Sequence, residues 1–203
     1  MTVELRKLQE LRAQTGAGVL DCRRALEAAG GDVRSAAAAL AAGAERAAAA
    51  KAHRDAGAGL AQAYVHADGR IAALIEVRCE TDFLARTAAF RALVRDLLLQ
   101  ITASAPDYVA AEDVPAEVLA ELRRSAEETA RGNGKPERIV QEIIRGKERK
   151  YLQRACLLQQ AFIKDPTVTV RAWIERFAAG AGENVRVRRF ARFELPHPAH
   201  QAP

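Results

Sequence analysis

Apolar positions change their period several times along this chain, and each change marks an element. Leu5, Leu8 and Leu11 recur at helical spacing until Thr15-Gly16-Ala17-Gly18 interrupts them. Glycine there gives the backbone the freedom a sharp turn needs. A second helical set, Cys22, Ala25, Leu26 and Ala29, stops at Gly30-Gly31. Asp32 is a suitable N-cap for a third helix, which turns Val33, Ala36, Ala37 and Leu40 to one side. Residues 1–42 are therefore expected to form a small three-helix bundle. The next stretch, 43–56, is rich in Ala, Lys and Arg, with high helix propensity and no strong apolar face, so it reads as a helical linker. A basic helix binding phosphate through Arg46, Lys51 and Arg54 is the alternative, and Glu45 and Asp55 dilute its charge.

From residue 57 the period shortens to two. Leu60, Ala61, Ala63, Tyr64 and Val65 suggest a strand, and Ala67-Asp68-Gly69 is a hairpin turn signal. A second strand over 70–80 places Ile71, Ala73, Ile75, Val77 and Cys79 on one face. The acidic, aromatic stretch Glu80-Thr81-Asp82-Phe83-Leu84 follows. The helical period then returns over 87–103 with Phe90, Leu93, Val94, Leu97, Leu98 and Ile101. Pro106 and Pro115 bracket a loop, and a charged helix over 116–131 stops at Gly132-Asn133-Gly134. Pro136 opens another helix as a first-turn proline, and a further segment carries Tyr151, Leu152, Cys156, Leu157 and Leu158. Lys164-Asp165-Pro166 is a turn, and Val170, Trp173, Ile174 and Phe177 form the stripe of a last helix. A final strand over 184–195 alternates Val185, Val187, Ala191, Phe193 and Leu195 with Arg186, Arg188, Phe190, Arg192 and Glu194. The order predicts an α+β fold: a helical bundle, then a core over 57–195 in which a small antiparallel sheet packs with helices, and a flexible tail at 196–203.

Composition narrows the chemistry. Net charge is +5 in 203 residues, which permits an acidic partner or weak nucleic-acid contact and requires neither. The three cysteines are widely separated and form no CxxC, so free thiols in a reducing cytosol are expected. With no signal peptide and no apolar run near ~20 residues, a cytoplasmic chain is expected. No phosphate loop, dinucleotide fingerprint or nucleophile elbow occurs. The four histidines have no metal-ligand spacing with the cysteines. A binding protein is expected rather than an enzyme, with no cofactor and no catalytic residues.

Two stretches invite a partner. Val19 and Leu20 follow the tight turn directly: they either begin a buried helix or form an apolar patch for docking, with Asp21 favouring the helix start. At Thr81-Asp82-Phe83, Thr or Asp can cap a helix while Phe83 packs in the core. Phe83 precedes Phe90 by seven residues, so an unbroken helix would turn both inward. The alternative is that Phe83 projects towards a partner.

Three separated motifs resemble the bacterial elongation factor Ts family. LRAQTGAGVLDCRRALEAAGGDVRSAA is similar to its first signature, VRCETDFLAR to its second, and GENVRVRRFARFEL to its C-terminal strand. The resemblance spans about residues 4 to 195, in a short form without the coiled-coil insertion or duplicated core subdomain of longer relatives. It implies a ubiquitin-associated-like N-terminal bundle that docks on the nucleotide-binding domain of elongation factor Tu, through Arg12, Val19 and Leu20 by motif position. The family often has Met at the last two positions; Val and Leu stay apolar with a shorter reach. The resemblance also assigns Thr81, Asp82, Phe83 and Leu84 to dislodging the magnesium ion beside GDP in that partner. Such an activity is guanine nucleotide exchange during polypeptide elongation. Short forms are expected to form homodimers, for which the final strand is a candidate edge; Ala191 offers no thiol for a disulfide there. No direct nucleic-acid or membrane contact is expected. Two other readings remain: a binder of ubiquitin-like domains, which the bundle alone permits, and a basic nucleic-acid binder, whose affinity would fall steeply with salt.

Overall fold

The computed structural model describes residues 3–51 and 56–196. His53, Arg54 and the 197–203 tail lie outside the described residues. The fold is α+β: N-terminal helices, then a small antiparallel sheet packed with helices. Two compact units divide the chain, 1–62 with 75–96 and 171–189, and 63–74 with 97–170 and 190–203.

In the first unit, helices α1 (Val3–Thr15), α2 (Val19–Ala28) and α3 (Val33–Lys51) share a core built on Leu11, Cys22, Leu26 and Ala36. Leu8, Ala25, Ala29, Val33, Ala37 and Leu40 pack around it, as the helical period predicts. The α2–α3 turn ties its loose backbone groups: Gly31 N–H reaches the Leu26 carbonyl at 2.8 Å and Gly30 N–H that of Glu27 at 3.2 Å. Lys7 donates across to the Gly31 carbonyl at 2.7 Å, fixing α1 to that turn. Asp32 caps α3 by accepting from Ser35 N–H at 2.9 Å, and its hydrogen bonds to Ser35 hold its carboxyl below the usual range. Helix α3 runs on through residue 43, so the expected linker begins as a continuation of the third helix.

Strands β1 (Ala58–Val65), β2 (Ile71–Cys79) and β5 (Arg186–Glu194) form a sheet in the order β1-β2-β5. The predicted turn closes β1 onto β2: His66 N–H donates to the Ile71 carbonyl at 2.8 Å, and Asp68 accepts from Arg70 N–H at 3.1 Å. Inward positions of β2, namely Ala73, Ile75, Val77 and Cys79, are buried. At Gly59, with φ +153°, an added Cβ would stand 2.2 Å from the Val77 carbonyl oxygen, so only glycine lets β1 approach β2 this closely.

Strand β5 departs from the predicted alternation. Val185 and Val187 are buried, but Arg188 and Arg189 are both exposed and reverse the parity. Beyond them Phe190 and Arg192 are partly covered, while Phe193 and Leu195 are exposed. Two successive outward residues are what an extra residue in a strand produces. Leu195 N–H pairs with the Arg70 carbonyl at 2.9 Å, and Arg189 meets Glu76 at 2.7 Å. Counting between these contacts sets Phe193 opposite Ala72, whose other neighbour across the hairpin is Val65.

Helix α4 (Asp82–Ala85) is a single turn, and α5 (Ala88–Ser104) follows with all six predicted apolar positions from Phe90 to Ile101 buried. Helices α6 (Ala116–Gly132) and α7 (Glu137–Ala155) form a hairpin closed by Arg123 on Glu148, at 2.8 and 2.6 Å. Pro136 stands at the N-cap of α7, one position before the helix, and α7 absorbs Tyr151 and Leu152, expected in a separate segment. A second sheet, β3 (Ala161–Phe162) with β4 (Asp165–Thr169), occupies what reads in the sequence as a simple turn. Helix α8 (Val170–Ala181) lays Phe177 against Phe90, ring centroids 6.2 Å apart.

Candidate partner-binding site

The turn between α1 and α2 is organised from inside. Thr15 is buried and its hydroxyl donates to the Leu11 carbonyl at 2.7 Å while accepting from Ala17 N–H at 3.3 Å. Gly16 takes φ +66°, and Gly18 is the N-cap of α2. Cys22 enters the core and points its thiol at the Ala17 carbonyl, 3.6 Å away. With Cys22 and Leu26 inward, the first residues of α2 face out: Val19 is 46% exposed and Leu20 59%. Arg12, in the last turn of α1, is also exposed, and Asp21 lies in the first turn of α2. The buried-helix reading of Val19 and Leu20 therefore does not hold.

The Glu80–Leu84 stretch is held more tightly still. Thr81 caps α4, its hydroxyl accepting from Leu84 N–H at 3.2 Å. The same hydroxyl donates to Glu183 Oε1 at 2.6 Å. Glu183 Oε2 accepts from the backbone N–H groups of both Glu80 and Thr81, each at 3.0 Å. In return Glu80 Oε1 accepts from Asn184 N–H at 2.6 Å. The Thr81 carbonyl accepts from the Cys79 thiol at 3.3 Å and from Ala85 N–H at 3.2 Å. Burial, and after it the charge of Glu183, push that thiol above its usual range.

The helix then breaks before α5. Thr87 donates its hydroxyl to the Leu84 carbonyl at 2.8 Å and accepts from Phe90 N–H at 3.1 Å, so it caps the new helix. The break separates the fates of the two phenylalanines: Phe90 is fully buried, whereas Phe83 is 84% exposed, the most exposed large apolar side chain described. Asp82 is exposed beside it, and Leu84 is buried. Of the four residues expected to act together, Thr81, Asp82 and Phe83 are exposed and only Leu84 is buried; Leu84 anchors the turn and Thr81 ties its backbone. Glu183 escapes sequence reasoning because it and Thr81 are 102 residues apart. The only signal was the GEN that begins the C-terminal motif.

Among the described residues no group of three or more His, Cys, Asp or Glu could hold a metal ion, and no helix is long and apolar enough to cross a membrane. The geometry offers exposed side chains on turns tied by hydrogen bonds, and such turns can present side chains to a partner.

A family model described as elongation factor TS matches residues 32–197. The elongation factor Ts of Heliobacterium modesticaldum is 47% identical over 188 residues, covering 93% of this chain and 87% of that protein. That of Rubrobacter xylanophilus is 45% identical over 195 residues, 96% of this chain and 100% of the relative. That of Carboxydothermus hydrogenoformans is 45% identical over 188 residues, 93% of this chain and 87% of the relative. The full-length match to a short relative agrees with the absence of a long insertion. On a family model covering most of its length and on relatives matched almost end to end, the chain belongs to the elongation factor Ts family.

Proposed function

We propose that this translation elongation factor is a guanine nucleotide exchange factor that binds elongation factor Tu carrying GDP and promotes GDP release. The observation that carries the reading is Phe83: a large apolar side chain left 84% exposed on a turn whose backbone is tied on both sides. Exposing a phenylalanine forgoes about 1.5–3 kcal/mol of burial. A turn built to keep it outside suits a partner that receives it.

In this reading Arg12, Val19 and Leu20 dock on the nucleotide-binding domain of the partner. Phe83 wedges between partner side chains, and Asp82 perturbs the charge and backbone near the magnesium ion. Thr81 and Leu84 contribute by holding that pair in place. Magnesium neutralises phosphate oxygens, so its displacement weakens the grip on GDP. No covalent bond changes. Factor and nucleotide oppose one another through one conformational equilibrium, and the coupling is reciprocal: GTP entering the empty site expels the factor. Residues 1–42 serve as the docking domain, 43–56 as its connection and 57–195 as the core, through which two copies associate.

The test is release of a fluorescent GDP analogue from elongation factor Tu on adding the purified chain. Acceleration that saturates with factor concentration is expected; an unchanged release rate overturns the reading.

A further inference from the structure

We propose that Glu183 is a positioning residue for the Thr81–Phe83 turn, so that the α8–β5 junction sets the aim of the projecting Phe83. The inference rests on the exchange-factor reading and adds a residue to it. Glu183 touches neither Asp82 nor Phe83 by any hydrogen bond described above; it acts on the backbone that carries them.

Its carboxylate spends both oxygens on one turn. Oε2 gathers the N–H groups of Glu80 and Thr81 at 3.0 Å each, and Oε1 takes the Thr81 hydroxyl at 2.6 Å. Hydrogen bonds to an ionised acceptor are the shorter and stronger kind. The Thr81 hydroxyl, having donated to Glu183, is oriented to accept from Leu84 N–H, which starts α4. Glu183 thereby fixes the rotamer of the cap as well as the path of the strand entering it. The return bond from Asn184 N–H to Glu80 Oε1 closes a reciprocal pair between two segments over 100 residues apart. The support behind Glu183 is firm: α8 immediately before it packs Phe177 on Phe90 of α5, and Asn184 and Val185 immediately after it are buried. The strand before the turn, the helix after it and the acidic clasp beside it together fix the backbone from which Phe83 projects. A wedge works only if aimed, and a misplacement of about 1 Å can cost ~100-fold in a positioned reaction.

The measurement is GDP-analogue release from elongation factor Tu over a range of factor concentrations, for wild type, Glu183→Ala, Phe83→Ala and the double variant. Glu183→Gln, of equal volume but with one acceptor oxygen replaced by a donor, carries the test if the alanine variant fails to fold. Loss of the clasp should lower the maximal release rate about tenfold while the half-saturating concentration moves less than about twofold, because docking through Val19 and Leu20 is untouched. In the Phe83→Ala background the same change should have a clearly smaller effect, since Glu183 acts largely through Phe83 and otherwise only through Asp82 on the same turn. Amide hydrogen exchange should accelerate at Glu80 and Thr81 and stay unchanged at Ile75 and Val77. Unchanged exchange at Glu80 and Thr81, or losses that multiply independently in the double variant, overturn the proposal. If the wild-type chain itself leaves release unaltered, the exchange-factor reading falls, whereas the amide-exchange comparison still decides whether Glu183 orders the turn.

Discussion

Phe83, Leu84 and Phe90 lie close together in the chain and meet three different environments: 84% exposed, 9% exposed and fully buried. The capping threonines decide this. Thr81 starts one turn of helix and Thr87 starts another, so the seven-residue spacing that would align Phe83 with Phe90 on one helix is broken between them. Phe83→Ala should therefore change stability by less than about 0.5 kcal/mol, as for an exposed position, while slowing GDP release from elongation factor Tu. Leu84→Ala, one residue on, should cost about 2–4 kcal/mol, since it empties a buried site. Urea unfolding of both variants beside the release assay checks the pair. A Phe83→Ala chain as unstable as Leu84→Ala would return Phe83 to the core and remove the wedge. At the N-terminal site, exposure of Val19 and Leu20 follows from Cys22 and Leu26 taking the inward positions of a short helix.

At the scale of elements, β1 and β2 are joined by a close approach that one methyl group would prevent. Gly59→Ala would drive Cβ into the Val77 carbonyl oxygen and the Arg78 Cα, at 2.2 and 2.9 Å, from a backbone angle that suits glycine. A loss of about 1–3 kcal/mol is expected, read as a lower unfolding midpoint. The α6–α7 hairpin carries a different dependence. Its hydrogen bonds to Arg123 hold the Glu148 carboxyl below the ordinary glutamate value. A lowered folded-state pKa gives stability that is present above the unfolded pKa of 4.5 and is lost as pH falls through the folded value. The hairpin should thus loosen below about pH 4.5, and Arg123→Ala should flatten that pH dependence with only a small loss of stability at neutral pH, as for an exposed ion pair. Hydrogen exchange of α6 and α7 amides across that range reads it. These elements differ in how much their sequence reveals. The bundle and α5 show a clean helical period because one face of each is buried, and every predicted inward residue from Phe90 to Ile101 is covered. The second half of β5 misleads because the parity reversal at Arg188-Arg189 leaves no compositional mark. β3 is too short, at two residues, to show any period. The turn at Thr81 was legible as a helix start, but the acid that clasps it arrives from a distant segment, and periodicity carries no information about such pairs.

For the whole molecule, the parity reversal in β5 has a consequence beyond its own strand. It turns Phe193 and Leu195 to the outer side of the sheet, where Phe193 shares a row with Ala72 and Val65, and Leu74 lies on the same face of β2. Val65, Leu74, Phe193 and Leu195 are 60, 50, 70 and 60% exposed, and they share the outer face of the sheet. Apolar patches gathered in this way mark contact surfaces more often than scattered exposed residues do. Among the available occupants a second copy fits best. A two-fold interface presents the same patch from both copies, and β5 is an edge strand of the sheet. If a short family member dimerises through its final strand, as expected, Phe193 and its row are the apolar residues that strand offers. Two chains each carrying a formal net charge of +5 repel one another, so association should strengthen as salt screens that charge. Light scattering should give twice the 22.0 kDa of one chain at micromolar concentration. Phe193→Arg should return the mass to one chain with little loss of stability, because the side chain is exposed within a protomer. A wild-type chain that stays monomeric at every salt concentration, or a Phe193→Arg variant that still dimerises, would show that this face is not where two copies meet.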